Sequence, residues 1–465
     1  MSSSETSLVT TVVNIGLLVF RIQLEYLYSY YLRLTYLVGA NKENTNWSNK
    51  EQEKESNRKE ESTFINAKDI TDIVQASGYI VREHVVTTED GYILVIHQLE
   101  KPGVIHVEKG KIAYFHHGML TNSELFVLGS EKNKSLPYLL LDLGYEVWLG
   151  NNRGNKYSRK HLKLSVTDAK FWDFSLDEFA YYDIPAILGY IKSFYRPEDK
   201  ITYIGFSQGC SQLFASLSLH PYLNKYLNMF IALSPALIPK NLNHPVFRII
   251  VDQTAKDSGF LYSLFGNRAI MSSVSFWSSI MGPKLYEKVV DVSLVYLFGW
   301  SGKNLSEDQK KLGYPHMFSN SSVKSLTHWF QIISAKRFQM FDETGKFGKT
   351  KLSILSTASK SKGHRVAPFP IAHHLDVPMV LFYGDSDILV DIECTKKLIL
   401  DQNEKMASML DVVLCPGYEH MDTLWASNVY EDVFSKVIIA IESHHRSRKN
   451  YSTMASNINS SLKRS

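Results

Sequence analysis

Cysteine is scarce in this sequence: only Cys210, Cys394 and Cys415 occur among its 465 residues. Three thiols cannot build the disulfide framework of a small secreted domain, so we expect the fold not to depend on an oxidising compartment. Hydrophobic residues make up 44% of the chain and charged residues 21%. That composition is typical of a globular protein, and the length allows a large buried core.

Excess positive charge is also small. The chain has 51 Lys and Arg against 47 Asp and Glu, a formal net charge of +4, and its basic residues are scattered. Proteins that bind nucleic acid concentrate basic residues on one face or along one helix, so we expect no nucleic-acid partner. The sequence also lacks a recognisable metal or nucleotide motif. We therefore expect no metal and no cofactor, and no obligate protein partner is evident.

The apolar stretch nearest the N-terminus is too short to cross a bilayer. Residues 8–20 stop at Arg21, whereas a spanning helix needs roughly 20 apolar residues. No basic segment precedes the stretch and no small-residue cleavage site follows it, so a cleaved signal peptide fits poorly. Residues 22–38 are rich in Tyr and Leu, and tyrosine favours the membrane–water interface. We predict an uncleaved membrane or lipid-surface anchor in residues 1–40, the alternative being a surface helix packed on the globular domain.

The rest of the chain divides by composition. Residues 41–66 are polar and charged and predict a flexible linker. Residues 67–237 and 375–443 alternate strand-like and helix-like segments, which predicts an α/β fold with a mostly parallel central sheet and helices on both faces. Residues 238–374 do not show this alternation of strand-like and helix-like segments and are rich in aromatic residues and leucine. Their pattern predicts an inserted, mainly helical cap. Residues 444–465 predict a disordered tail.

Periodicity and turn signals place the individual elements. The predicted strands are residues 79–87, 92–99, 111–115, 145–149, 201–206, 229–233, 377–383 and 410–415. The predicted helices are residues 69–77, 175–195 with a Ser175–Glu178 capping box, 274–280, 286–300, 323–341 and 428–443.

One chemical motif follows the fifth predicted strand. That strand leads into Gly205-Phe206-Ser207-Gln208-Gly209, and a helix-like run comes next. A serine between two glycines at this spacing is typical of a strained strand-to-helix turn that raises the hydroxyl above the sheet. The N–H of Gln208 would lie at the helix N-terminus, where it can stabilise an oxyanion. The motif predicts Ser207 as a nucleophile, although an ordinary βα turn can carry the same pattern.

A serine nucleophile needs a base and an orienting acid. The loop after the seventh predicted strand offers Asp385, Asp387 and Asp391, and the loop after the eighth offers one histidine, His420. Serine, acid and histidine in that order, with the last two in the final loops, match an α/β-hydrolase triad. We prefer Asp387 as the acid, because Asp385 lies close enough to the strand to cap the turn and Asp391 could cap the following helix.

A second oxyanion donor is expected in the loop after the third predicted strand. Gly118 allows close backbone approach there, which makes the N–H of Met119 the candidate. His116 and His117 precede it, and we interpret both as structural or pocket-lining residues.

Several further blocks give a more specific match. They are His117-Gly118-Met119-Leu120, Gly150-Asn151-Asn152-Arg153-Gly154-Asn155, Tyr157-Ser158-Arg159-Lys160-His161, Phe171-Trp172-Asp173-Phe174-Ser175, Tyr182-Asp183-Ile184-Pro185-Ala186, the Ser207 motif and Tyr418-Glu419-His420-Met421-Asp422. With these blocks in order over residues 69–441, the sequence resembles the acid lipase family of α/β hydrolases, which includes gastric and lysosomal acid lipases and fungal steryl ester hydrolases. The resemblance implies Ser207, Asp387 and His420 as the triad and the backbone amides of Met119 and Gln208 as the oxyanion hole. The family often has leucine at position 119, and a backbone donor tolerates methionine.

The resemblance implies a serine ester hydrolase. The predicted anchor, together with the lack of a cleaved signal and of a cap disulfide, favours the membrane-anchored fungal steryl ester hydrolases. We therefore expect cleavage of steryl esters through an acyl-enzyme, in sterol homeostasis. The expected location is a membrane or lipid-droplet surface, on lipid droplets, endoplasmic reticulum or plasma membrane. The alternatives are a triacylglycerol lipase of the same fold, a catalytically silent lipid-binding scaffold and, third, a peptidase.

Overall fold

A computed structural model describes residue 64 and residues 67–103, 110–240, 242–257, 259–270, 281–343, 366–401 and 403–447. The predicted anchor in residues 1–40 lies outside the described residues, as do nearly all of the linker, the predicted cap helix at 274–280 and most of the predicted tail. Across the described ranges, no helix is both long enough and apolar enough to cross a membrane.

Eleven strands occur in the described part of the chain. They are β1 Ile80–Thr87, β2 Tyr92–Glu100, β3 Ile112–His116, β4 Glu146–Leu149, β5 Lys160–His161, β6 Ile201–Phe206, β7 Leu227–Leu233, β8 Ala269–Ile270, β9 Ser321–Ser322, β10 Met379–Gly384 and β11 Leu410–Cys415. The α-helices there are α1 Ile70–Ala76, α2 Leu136–Asp142, α3 Leu176–Glu178, α4 Ile184–Lys192, α5 Gln208–Leu219, α6 Pro245–Lys256, α7 Gly259–Phe265, α8 Pro283–Phe298, α9 Glu307–Met317, α10 Val323–Ala335, α11 Ile371–His374, α12 Ile392–Leu400, α13 Glu404–Ala407, α14 Asp422–Trp425 and α15, residues 435–447. Short 3₁₀ turns and two π-helical turns, Phe179–Asp183 and Tyr430–Phe434, also occur there.

The main sheet has the strand order β1-β2-β4-β3-β6-β7-β10-β11, with β5 paired to β2. From β4 to β11 neighbouring strands are parallel, while β1, β2 and β5 make antiparallel pairs at the other end. The predicted α/β fold with a mostly parallel sheet is thus confirmed. In the sheet, β4 lies on one side of β3 and β6 lies on the other, so the chain changes direction across the sheet after β4. The carboxyl ends of β3 and β6 therefore flank the point where strand order reverses, which is where open α/β sheets form their sites.

The core covers both faces of this sheet. Every residue of β3, β6 and β7 is buried, as expected for parallel strands covered on both sides. Successive side chains point to opposite faces. In β3, Tyr114 belongs to one hydrophobic cluster, whereas Ala113 and Phe115 belong to the other.

The described residues between β7 and β10 are mainly helical, as predicted for the cap. They include α6 to α10 and a two-stranded sheet of β8 and β9. The predicted helix 323–341 is shorter in the structure, because Lys336 adopts a left-handed conformation with φ of 50° that ends α10. A smaller cluster of apolar side chains, distinct from those on the sheet, holds α6, α7 and α10 together.

Two further predictions are corrected. The predicted helix 175–195 does begin with the Ser175–Glu178 capping box, but a π-helical turn, Phe179–Asp183, separates α3 from α4. The last helix in the described part of the chain, α15, includes residues 435–447, so the predicted start of the tail at 444 falls inside it. The helical backbone continues there, and the hydroxyl of Ser447 donates to the carbonyl of Ser443 one turn earlier.

Candidate active site

The turn between β6 and α5 carries Ser207 in a strained conformation. Its φ of 54° and ψ of −119° are rare for a residue with a side chain. The turn is tight enough to require glycine on both sides. A Cβ at Gly205 would lie 2.9 Å from the amide nitrogen of Cys210, and one at Gly209 would lie 2.2 Å from the carbonyl oxygen of His116. The predicted strand-to-helix turn is present, and it places Ser207 at the carboxyl end of β6.

The loops after β10 and β11 bring a carboxylate and an imidazole together. Oδ2 of Asp387 lies 2.6 Å from Nδ1 of His420, and both side chains are buried. The other oxygen, Oδ1, accepts a hydrogen bond of 2.9 Å from the amide of Leu389. Since a carboxylate only accepts, Nδ1 carries the hydrogen and Nε2 remains an acceptor. This is the tautomer that a general base needs.

The two other aspartates of the loop after β10 have different partners. Oδ1 of Asp385 accepts the amide of Gly417 at 2.7 Å. Asp391 is the N-cap of α12 and accepts the amide of Cys394 at 3.1 Å. The helix cap at Asp391 matches the alternative considered from the sequence, whereas Asp385 binds the loop after β11 and does not cap its own turn. Neither carboxylate is paired with His420.

The end of β7 connects the serine turn to the histidine loop. The carbonyl of Leu233 accepts the amide of Ser207 at 3.0 Å, and the hydroxyl of the next residue, Ser234, donates to the carbonyl of His420 at 2.9 Å. The ring of Phe206, directly before the serine, lies 5.1 Å from the imidazole, centroid to centroid. The end of β7 thus connects the Ser207 turn to the His420 loop.

The loop after β3 passes directly over the serine. A Cβ at Gly118 would lie 3.0 Å from Cβ of Ser207, and Leu120 adopts a left-handed φ of 59°. Met119 and Ser207 border the same cavity. On the other side, Gln208 is the first residue of α5, where backbone N–H groups have no acceptor within the helix. The structure therefore brings both predicted oxyanion residues next to the serine.

Two buried histidines support this loop. Nε2 of His116 lies 2.8 Å from Oδ1 of Asn152, and Nε2 of His117 accepts the amide of Asn152 at 3.0 Å. Burial lowers the pKa of His116 to about 4 and the pKa of His117 to about 3. Both rings are therefore neutral near pH 7, and their contacts match the structural role predicted for them.

The cap contributes contacts that sequence reasoning missed. Nε1 of Trp329 on α10 donates to Oε1 of Gln208 at 2.6 Å. The indole of Trp300 lies parallel to the imidazole of His420, with centroids 5.2 Å apart and 7° between the planes. No local sequence pattern predicts these contacts, because each joins residues more than one hundred positions apart. The aromatic richness of the cap was the available signal, but it does not identify individual partners.

An apolar cavity of about 420 Å³ opens at Ser207. Most of its wall belongs to the cap, and the polar residues in its lining are Ser207 and Gln208. The apolar lining consists of Met119, Leu120, Ala236, Pro239, Leu242, Phe247, Ile250, Leu261, Phe265, Ile270, Leu297, Phe298, Leu326, Trp329, Phe330, Ile333 and Leu389. Such a lining suits the hydrocarbon part of a ligand, with the reacting group at the serine. Within the described ranges, no three His, Cys, Asp or Glu side chains converge to hold a metal ion.

Comparison with known proteins gives consistent matches. Residues 70–130 match the model of a partial alpha/beta-hydrolase lipase region, and residues 114–425 match the alpha/beta hydrolase fold. A probable lipase of Schizosaccharomyces pombe is 41% identical over 377 residues, covering 81% of this chain and 80% of the relative. Gastric triacylglycerol lipase of Rattus norvegicus is 29% identical over 376 residues, covering 79% and 90%. Human lysosomal acid lipase/cholesteryl ester hydrolase is 28% identical over 383 residues, covering 79% and 89%.

Proposed function

The chain belongs to the alpha/beta hydrolase family and is a carboxylic ester hydrolase of the lipase type, and from this premise we propose that it cleaves steryl esters with Ser207 as nucleophile. The proposal rests above all on the 2.6 Å contact between Asp387 and Nδ1 of His420. That contact leaves Nε2 able to take a proton, and the end of β7 connects the loop of His420 to the turn of Ser207.

The first half of the reaction forms an acyl-enzyme. Oγ of Ser207 attacks the carbonyl carbon of the ester while Nε2 of His420 takes the hydroxyl proton. The backbone N–H groups of Met119 and Gln208 donate to the oxyanion of the tetrahedral intermediate. When the intermediate collapses, the bond to the alkoxy oxygen breaks. The imidazolium protonates that oxygen, and the free sterol leaves.

The second half returns the enzyme to its starting state. A water molecule gives a proton to Nε2 of His420 and attacks the acyl carbon. The new tetrahedral intermediate expels Oγ of Ser207, which recovers the proton from the imidazolium, and the fatty acid leaves. Through both halves the carboxylate of Asp387 holds the imidazole orientation and stabilises its positive charge. No step needs a cofactor.

The proposed substrate rests on the cavity and on the relatives. The cavity is apolar apart from the residues at its reactive end, which favours an ester of long hydrocarbon parts over a polar one. A cholesteryl ester hydrolase is among the relatives, and so is a gastric triacylglycerol lipase. Triacylglycerol is therefore the second candidate substrate.

A substrate panel on the purified protein tests this proposal. Cholesteryl oleate and triolein are assayed in parallel in mixed micelles, with the Ser207→Ala variant as the blank. We expect fatty acid release from cholesteryl oleate with the higher kcat/KM and none above background from the variant, whose thermal unfolding should match that of the wild type. A higher kcat/KM on triolein would replace the substrate proposal. Substantial activity in the variant would refute the nucleophile. Absence of labelling by a fluorophosphonate probe would favour a silent lipid-binding scaffold instead.

We also propose that the protein works at a membrane or lipid-droplet surface, on lipid droplets, endoplasmic reticulum or plasma membrane. Its substrate is insoluble in water, and the composition of residues 1–40 supports surface attachment. Removal of residues 1–40 should shift the protein from the membrane fraction to the supernatant while hydrolysis of a soluble short ester is retained. Release of the intact chain by a carbonate wash would count against the anchor.

A further inference from the structure

The cap touches the residue that follows the nucleophile. Nε1 of Trp329 donates to the side-chain oxygen of Gln208 over 2.6 Å, and both side chains are buried. Gln208 also supplies one of the two proposed oxyanion donors through its backbone N–H. A buried hydrogen bond on its side chain restricts the residue to one rotamer at the start of α5. This hydrogen bond therefore connects α10 to the residue that carries one of the proposed oxyanion donors.

A second part of the cap touches the base. Residues 299–304, here called the strap, follow α8 and begin with Gly299, whose left-handed φ of 73° ends that helix. Trp300 then lies parallel to the imidazole of His420 at 5.2 Å and is 6% exposed. Its indole nitrogen has no hydrogen-bond acceptor among the described residues. The ring face is therefore the part of Trp300 that acts on His420.

The strap is fastened to the loop that carries His420. The carboxylate of Glu419 accepts the amide of Ser301 at 2.8 Å through one oxygen and the amide of Gly302 at 2.9 Å through the other. The side chain of Asn304 donates to Oδ2 of Asp422 at 2.7 Å and to the carbonyl of Gly417 at 2.8 Å. Bonds on both sides of the histidine in sequence hold the strap, and with it Trp300, against the imidazole.

We propose that Trp300 and Trp329 are positioning residues, through which the seated cap orients the base and the oxyanion donor. The inference rests on the function proposed above. Trp329 acts through Gln208, and Trp300 limits rotation of the His420 ring about its bond to Cβ. Hydrogen bonds and ring contacts of this kind hold a site near its productive geometry, and small displacements of that geometry reduce the rate steeply. The cap thus belongs to the catalytic geometry as well as to the wall of the cavity.

Four variants separate these roles. Trp329→Phe keeps an aromatic ring in the cavity wall but removes the donor to Gln208. Trp300→Leu removes the parallel ring, and Trp300→Phe restores one. Ile332→Val is the matched control, because Ile332 is a buried residue of the same helix that does not border the cavity and cannot form a side-chain hydrogen bond. Values of kcat and KM are measured for each with soluble p-nitrophenyl acetate and with p-nitrophenyl palmitate in micelles.

The expected pattern is a loss of kcat that does not depend on chain length. We expect Trp329→Phe and Trp300→Leu to lower kcat about 5- to 30-fold on both esters while KM stays within about 2-fold, since what is lost is alignment in the transition state. Trp300→Phe should return to within about 3-fold of the wild type. Ile332→Val should keep the wild-type kcat and KM on both esters.

Two results would overturn the proposal. One is wild-type kcat on the acetate in both Trp329→Phe and Trp300→Leu, and the other is an equal loss of kcat in Ile332→Val. Trp300→Leu could fail to fold, which circular dichroism and thermal unfolding would show, and Glu419→Gln then takes its place. The NH₂ group of glutamine replaces one of the two carboxylate oxygens, so the N–H of either Ser301 or Gly302 loses its acceptor. The same loss is expected there, and wild-type kcat would overturn the role of the strap. A wild-type protein that neither hydrolyses the acetate nor reacts with a fluorophosphonate would instead overturn the proposed function itself.

Discussion

Replacing Asp387 by asparagine should reverse the tautomer of His420 without disturbing the fold. Oδ1 of Asp387 is already used, since it accepts the amide of Leu389 at 2.9 Å. In Asp387→Asn the amide oxygen must stay on that N–H, because an NH₂ group there would face a second donor. The NH₂ group then occupies the place of Oδ2, 2.6 Å from Nδ1 of His420. It can only donate, so Nδ1 must accept and the ring hydrogen moves to Nε2.

An imidazole with hydrogen on Nε2 cannot take the proton of Ser207. The same change in a Ser-His-Asp triad of another fold lowers kcat by about 10,000-fold. We expect a loss of about 1,000- to 10,000-fold here, or about 4 to 5 kcal/mol of transition-state stabilisation. The binding of substrate should change little, because Asp387 is buried behind the histidine and does not border the cavity.

The assay is hydrolysis of p-nitrophenyl butyrate, with kcat and KM determined separately at pH 7 to 8. Asp385→Asn is the matched control: it lies in the same loop, but its carboxylate accepts from Gly417 and not from His420. We expect that variant to stay within about 3-fold of the wild type, since an asparagine oxygen can still accept from that amide. A kcat for Asp387→Asn above one tenth of the wild-type value, or an equal loss in Asp385→Asn, would refute the assignment of the acid.

Two further predictions concern stability. His116 and His117 have folded-state pKa values of about 4 and about 3, below the unfolded value near 6.5. Their contribution to the free energy of unfolding is therefore present above pH 6.5 and is lost as the pH falls towards those values, by about 2 kcal/mol per histidine at pH 5. Urea unfolding at pH 7 and pH 5 measures this loss, and an unchanged midpoint would contradict it. Arg153, which is 1% exposed, donates from Nε to buried Asp183 at 2.9 Å. We expect Arg153→Met to lower the free energy of unfolding by about 3 to 5 kcal/mol, because it leaves a buried carboxylate unpaired. Arg153→Met combined with Asp183→Leu should recover part of that loss in the same urea assay, and no recovery would contradict the coupling between Arg153 and Asp183.

The main sheet was largely predictable from the sequence for a physical reason. A parallel strand covered on both faces is a continuous apolar run, and such runs stand out between turn residues. All eight predicted strands occur within two residues of their predicted bounds. The two-residue strands β5, β8 and β9 were not predicted. They are too short to show a period and depend on pairing partners distant in sequence.

The location of the candidate site residues could also be predicted, because the loops at the carboxyl ends of parallel strands lie at one edge of the sheet. The choice among the three aspartates depended on finer geometry. Spacing favoured Asp387, but the physical distinction is the partner of each carboxylate: Gly417 for Asp385, the first turn of α12 for Asp391 and His420 for Asp387. The contacts from the cap could not be predicted, because they depend on how α8 and α10 pack on the sheet.

The position of the cap between β7 and β10 has a consequence for how this enzyme can diversify. One continuous segment supplies most of the cavity wall, while the loops after β6, β10 and β11 carry the candidate catalytic residues. If recombination replaced that segment by the cap of a relative, the substrate preference would therefore change in a single genetic event. On the proposal made above, a hybrid would keep its kcat only if the new cap presents an aromatic ring to His420 and a hydrogen-bond donor to Gln208. This requirement restricts which hybrids natural selection can retain.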